Sequence, residues 1–170
     1  MSQLLKSLAM SENSCLLNIV KMLLMTGCRR GEILEVRWTN IDLQKRRFLI
    51  SNTKQRRPHV VPITDALESF LKCLPSYETS EYLFPNPRTG KPFRSIFYSW
   101  NTARKQANLD ALRTHDLRHS FASFLVNQGR SLYEVQKLLG HTSQKTTERY
   151  SHLSDSSLPD AIGKMSLLLE

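Results

Sequence analysis

The hydrophobic pattern of this chain changes period once and then changes back. From Ser14 to Met25 apolar residues recur at helical spacing, with Leu16, Leu17, Val20, Leu23 and Leu24 forming a stripe. A second helix is expected from Arg29 or Arg30, carrying Ile33, Leu34 and Val36. Two short β-rich runs then interrupt, Arg47 to Ser51 and His59 to Ile63, on either side of a polar stretch holding Lys54, Arg56 and Arg57. Helical spacing returns after Ile63. A period of 3.6 and a period of 2 expose their apolar faces differently. The chain is therefore expected to be mainly α with a small antiparallel β-sheet, an α+β class, the sheet being a hairpin with a basic tip and a possible first strand near Asn40 to Leu43.

Capping residues mark the later helices. Thr64 or Asp65 can start one that runs to about Leu74. Tyr82 to Pro92 is loop, punctuated by Pro85, Pro87, Gly90 and Pro92. Ser95 to Ala107 is expected to be helical with Ile96, Phe97 and Trp100 in the core. Thr114 is expected to cap a helix whose apolar face is Leu117, Phe121, Phe124 and Leu125. Ser131 and Glu134 have capping-box spacing, Gly140 closes that helix, and a short helix from about Ser143 leads to Tyr150. The 170 residues suffice for one domain, here residues 1–170 with a core from about 14 to 153 and a tail over 154–170.

The charge is concentrated. Lys and Arg number 24 against 15 Asp and Glu, a net charge of +9. Nine basic and three acidic residues lie between Arg29 and Val60, and seven basic and two acidic between Arg88 and Arg118. Two such blocks suit a surface that tracks phosphates, with binding that weakens steeply as salt rises. Charge alone does not separate DNA from RNA or from an anionic membrane surface. No apolar run approaches the roughly 18 residues of a membrane helix. The first residues lack the pattern of a secretory signal. Cys15, Cys28 and Cys73 are odd in number and form no CxxC pair, which favours a reducing cytoplasm over a disulfide framework.

Reactive side chains gather toward the C-terminus. His115, Arg118 and His119 stand at i, i+3 and i+4, on one face of a helix start that can hold a phosphate. His119 taken alone fits a local packing or capping role. His115 and His119 also have the spacing of a helical metal pair, but Asp116 stands where the zinc hydrolases need glutamate, and Arg118 would repel a cation, so no metal is expected. No GxxxxGK loop is present, and no cofactor is expected. A free tyrosine has a pKa of about 10 and is a poor nucleophile unless a base and a cationic pocket assist it. Tyr150 has candidates for both roles in Arg29, Lys54, His115, Arg118 and His141.

The order of these boxes is specific. Thr26-Gly-Cys-Arg29-Arg30-Gly-Glu32 comes first, then Asn52-Thr-Lys54, then His115-Asp-Leu-Arg118-His119, then Leu139-Gly-His141, then Thr-Thr-Glu-Arg-Tyr150. From about Leu16 to Leu153 the chain resembles the catalytic domain of the tyrosine recombinase family, also called the phage integrase family. The resemblance implies that family's architecture and a metal-free, ATP-independent DNA strand transfer. It implies that Arg29 and Arg118 grip the scissile phosphate. Lys54 would protonate the leaving 5′ oxygen, although Arg56 and Arg57 share its tip. His115 would assist proton transfer at the nucleophile, His141 would hydrogen-bond the phosphate in the transition state, and Tyr150 would attack it. Glu32 would support Arg29, with His119 as a further supporting residue. Arg30, Arg56, Arg57, Arg88, Lys91 and Arg94 are the expected DNA-binding side chains.

The implied partners are double-stranded DNA and other recombinase subunits in a synaptic tetramer, with no membrane and a cytoplasmic, nucleoid-associated setting. The biology would be that of a phage or mobile element. Family members usually carry an N-terminal helical domain that clamps the other side of the DNA, and no such domain is expected in these residues. Leu158, Ile162, Met165 and Leu167 in the tail can form an apolar face for a neighbouring subunit or for the domain itself. Two other readings keep the same residues: a type IB-like topoisomerase that religates the same strand, and a DNA-binding module that is catalytically silent.

Overall fold

The computed structural model describes residues 2–50 and 58–140 together with Thr147 and Tyr150. First in order is α1 (Ser2–Ala9), which buries Leu4 and Leu8. The hydrophobic pattern assigns no element there, because eight residues carry too little periodicity to be distinctive. Next is α2 (Leu16–Thr26), with Leu16, Ile19, Val20, Met22 and Leu23 sealed in the core. Gly27 ends α2 at φ 65°, and its N–H donates to the Leu23 carbonyl. After it, α3 (Arg30–Leu34) leads through a 3₁₀ turn at Trp38–Asn40 into the sheet.

The sheet has three antiparallel strands in the order β1 (Ile41–Asp42), β2 (Arg47–Ile50) and β3 (His59–Pro62). Side chains on central β2 alternate, with Phe48 and Ile50 buried, while Arg47 and Leu49 face outward. Phe48 pairs with buried Val61, and Ile50 pairs with His59. Pro62 is tolerated because β3 is an edge strand among the described residues. Lys54, Arg56 and Arg57 lie outside the described residues.

Four helices follow: α4 (Asp65–Lys72), α5 (Phe97–Gln106), α6 (Thr114–Asn127) and α7 (Leu132–Leu139). Thr64 caps α4, its hydroxyl accepting from the Leu67 N–H at 3.2 Å. Ser131 and Glu134 make the expected box on α7, and Gly140 closes it at φ 63°. On α6 the cap position belongs to Arg113 and Thr114 is already helical. The Asp116 carboxylate accepts from the Arg113 N–H at 2.7 Å and from its guanidinium at 2.8 Å. The packing places α1 on α2 and α5, α6 on α2 and α7, and α7 on β3.

Two expected core aromatics are at the surface. Phe97 is 54% exposed and Phe124 61%. The buried side of α5 is set by Ile96, Trp100 and Ala103, and Phe97 stands about 100° round from Ile96. On α6 the buried residues are Leu117, Arg118, Ala122 and Val126. Phe124 lies two residues from either of the last two, about 200° away. The other three residues of the expected face, Leu117, Phe121 and Leu125, are buried or half-buried.

Candidate active site

Two helix ends converge where α2, α6 and α7 meet. A side chain at Gly27 would place its Cβ 2.3 Å from the Phe121 ring and 2.9 Å from a Leu139 methyl, so only glycine lets these elements close. Onto this junction α6 delivers Arg118, only 3% exposed. Its Nη1 donates to the Gly27 carbonyl and its Nη2 to the Leu139 carbonyl, both at 2.8 Å. These carbonyls close α2 and α7, at the negative ends of both helix dipoles, which favours a cation there. Burial, with the Arg29 charge beside it, pushes the Arg118 guanidinium down to about 10, so it stays charged at neutral pH.

Arg29 sits at the N-cap of α3, held by Glu32. One Glu32 oxygen accepts from the Arg29 N–H at 2.7 Å and the other from its Nη1 at 2.8 Å. The carboxylate is buried while part of the Arg29 side chain reaches solvent. Glu32 therefore fixes both the backbone and the side chain of Arg29. Cys28, next to Arg29 in the chain, is buried, and desolvation pushes its thiol up to about 12. A thiol held protonated in this way is packing, not a nucleophile.

Tyr150 completes the group. Its ring packs with Ala122, Val126, Val135 and Leu139, between α6 and α7, and is 6% exposed. The Tyr150 N–H donates to the Thr147 carbonyl at 3.0 Å. Its hydroxyl lies 2.5 Å from Nδ1 of His119. His119 in turn meets His115 edge-on, ring centroids 4.7 Å apart. Partial burial, then the neighbouring His119 and Arg118, holds the His115 pKa below its ordinary value. Tyr150 is also within electrostatic reach of Arg118. A tyrosine hydroxyl bonded to an imidazole, within electrostatic reach of a buried guanidinium, has at hand the base and the cation that phosphoryl attack calls for. Residues 1–157 match the phage integrase family.

The chain belongs to this family.

It is 33% identical to the tyrosine recombinase XerA of Saccharolobus solfataricus over 136 residues, covering 79% of this chain and 45% of that protein. The fold is similar to the catalytic domain of bacteriophage HP1 integrase, with a TM-score of 0.73 at 28% identity, covering 95% of this chain and 89% of that one. It is also similar to XerH site-specific recombinase bound to palindromic difH substrate in a post-cleavage complex, with a TM-score of 0.70 at 26% identity, covering 95% and 50%. The chain spans about half the length of the curated relatives it matches.

Of the residues singled out from the sequence of this integrase-family chain, the structure brings together Arg29, Glu32, Arg118, His119 and Tyr150, with His115 at the edge of the cluster. Lys54 and His141 lie outside the described residues. Arg30, Arg88, Lys91 and Arg94 are exposed, and Arg94 shares a cleft with Gly31 and Glu35 of α3. Arg88 instead lines a groove with Met10 and Tyr98 to which none of the catalytic candidates contributes. The main departure from the sequence reading is His119. It is His119 that bonds the Tyr150 hydroxyl, from 31 positions away, a separation across which helical spacing carries no signal.

Proposed function

We propose that this chain is the catalytic part of a site-specific DNA recombinase that cuts and rejoins DNA through a 3′-phosphotyrosyl bond at Tyr150. The observation that carries this reading is the 2.5 Å contact between the Tyr150 hydroxyl and His119 Nδ1, within electrostatic reach of Arg118, which in turn feels the charge of Arg29. Guanidinium groups suit a phosphate because each can bond two of its oxygens at once. Arg118 is already oriented by two carbonyls, so little reorganisation is needed when the phosphate arrives.

In the proposed reaction the Tyr150 oxygen attacks phosphorus as its proton passes to His119, with His115 alongside. The bond from phosphorus to the 5′ oxygen breaks, and Lys54 supplies that oxygen with a proton. His141 donates to a non-bridging oxygen. The phosphotyrosyl bond keeps the energy of the phosphodiester, so a 5′-hydroxyl from a partner duplex can rejoin the strand without ATP. That exchange is what separates recombination from the topoisomerase alternative, and membership of this family supports it.

The proposed partners are double-stranded DNA and further recombinase subunits paired on it, a reading supported by the DNA-bound XerH neighbour. Residues 1–170 would act as one catalytic unit, with Arg30, Arg56, Arg57, Arg88, Lys91 and Arg94 on phosphates. No described helix is long and apolar enough to cross a membrane. The proposed setting is the cytoplasm, on nucleoid DNA.

A nicked suicide duplex carrying a candidate attachment site tests the reading. Incubated in EDTA, the chain should leave a denaturation-resistant protein–DNA adduct that Tyr150→Phe does not form. Salt-sensitive DNA binding without an adduct, on every such substrate, would leave only the silent binding module.

A further inference from the structure

His59 occupies an unusual place for a histidine. It lies on the inward side of β3, the edge strand that packs on α7. Its imidazole rests flat against Gly140, so closely that a Cβ built there would be 2.7 Å from Nδ1 and 2.8 Å from Cγ. Both ring nitrogens are buried, and neither has a hydrogen-bond partner among the described residues. A polar ring held in this way is placed by shape and not by bonding. The charged groups that face it are Glu32, Arg118 and Arg29, and burial holds its pKa below the ordinary value, which keeps a third cation away from the two arginines.

Gly140 is more than a neighbour of the site. It is the left-handed residue that closes α7, and the residue before it is Leu139, whose carbonyl accepts from Nη2 of Arg118 at 2.8 Å. The His59 ring therefore backs the turn that presents one of the two carbonyls orienting Arg118. Gly140 has to be glycine both for its φ of 63° and for the space the ring takes.

We propose that His59 is a positioning residue for strand cleavage: its ring, seated on Gly140, fixes the Leu139 carbonyl and so holds the Arg118 guanidinium where it meets the scissile phosphate. The inference rests on the reading of Arg118 as a phosphate ligand. A small shift of a preorganised donor is enough to cost about 10- to 100-fold in rate.

The test compares single-turnover adduct formation on two nicked duplexes, one with an ordinary scissile phosphate and one with a methylphosphonate there. The methylphosphonate lacks the charge that a guanidinium neutralises, so it lessens any defect that works through Arg118. Thermal melts and DNA binding are followed for every variant. His59→Ala should be slowed about 10- to 100-fold on the phosphate and only about 2- to 3-fold on the methylphosphonate, with binding close to wild type. Arg118→Ala should show the same relief from a larger defect. His59→Phe, which restores a flat ring without nitrogens, should recover most of the rate, and it stands in should His59→Ala fail to fold.

An equal defect of His59→Ala on both substrates, beside relief for Arg118→Ala, overturns the inference and leaves the Arg118 reading standing. A His59→Phe variant as slow as His59→Ala overturns it as well, since the ring would then act through its nitrogens. If Arg118→Ala gains nothing from the methylphosphonate, the Arg118 reading falls and this inference with it. A wild-type chain that forms no adduct on either duplex removes both.

Discussion

Arg118 donates from Nη1 to the carbonyl of Gly27, 91 positions away, while its Nη2 holds the Leu139 carbonyl. One guanidinium thus joins the ends of α2 and α7 and presents its charge at the site. Lysine cannot reproduce this, because a single ammonium lacks the planar fork that spans two acceptors. Arg118→Lys should lose about 1–3 kcal/mol of stability through the unsatisfied carbonyl, read from the urea midpoint. Adduct formation should fall by about 100-fold or more. A lysine variant with wild-type cleavage would remove Arg118 from the mechanism.

Tyr150 and His119 separate chemistry from folding. Tyr150→Phe keeps the ring that packs on Val126, Val135 and Leu139 and removes only the oxygen bonded to His119. Its stability should change by about 1 kcal/mol, the scale of one hydrogen bond, with DNA affinity preserved and the adduct lost. His119→Ala should retain the tyrosine and still slow attack by about 100-fold, the scale of one lost general base. Wild-type adduct rates in His119→Ala would return the proton-transfer role to His115 alone.

Gly27 is constrained twice. Its φ is 65°, and a methyl there would meet the Phe121 ring at 2.3 Å. Gly27→Ala should therefore destabilise the chain by about 2–4 kcal/mol, combining left-handed strain with overpacking. Phe121→Leu in the same chain should recover part of that loss, measured by denaturant titration. The backbone strain would remain.

Arg118, His119 and Tyr150 show how far the sequence carries. Its period changes locate the helices and the hairpin, because local spacing decides which face is apolar, as at Leu16, Val20 and Leu23. The ordered motif supplies Arg29, Arg118 and Tyr150 as candidates. What it does not supply is contact across distance. The Gly27 and Leu139 carbonyls that hold Arg118 lie 91 and 21 positions away, and no local spacing announces them. His119 reads as a packing residue until Tyr150 arrives from another part of the chain. Of the short α1, only the burial of Leu4 and Leu8 against α2 and α5 explains why it is ordered.

The histidines give the chain a definite pH response. Burial lowers the pKa of His59, and partial burial lowers that of His115, both below the ordinary 6.5. As pH falls past about 6.5, these histidines take up protons in the unfolded chain before they do so in the folded one. Their contribution to stability is therefore whole above that pH and is lost as pH drops through the lowered folded values. Asp116 and Glu134, whose pKa values are held down by their bonds to Arg113 and Ser131, add a loss only in the more acidic carboxylate range. Urea midpoints should be flat from pH 8 to about 6.5 and decline below it. The decline should shrink in His59→Phe, where nothing remains to titrate at that position. Cleavage should follow a related course, because His119, which receives the proton, is spared a second charge at its side while His115 is neutral, and the lowered pKa of His115 extends that range toward acid. A single-turnover profile that already falls between pH 8 and 7 would mean that a group other than His115 controls the attack by Tyr150.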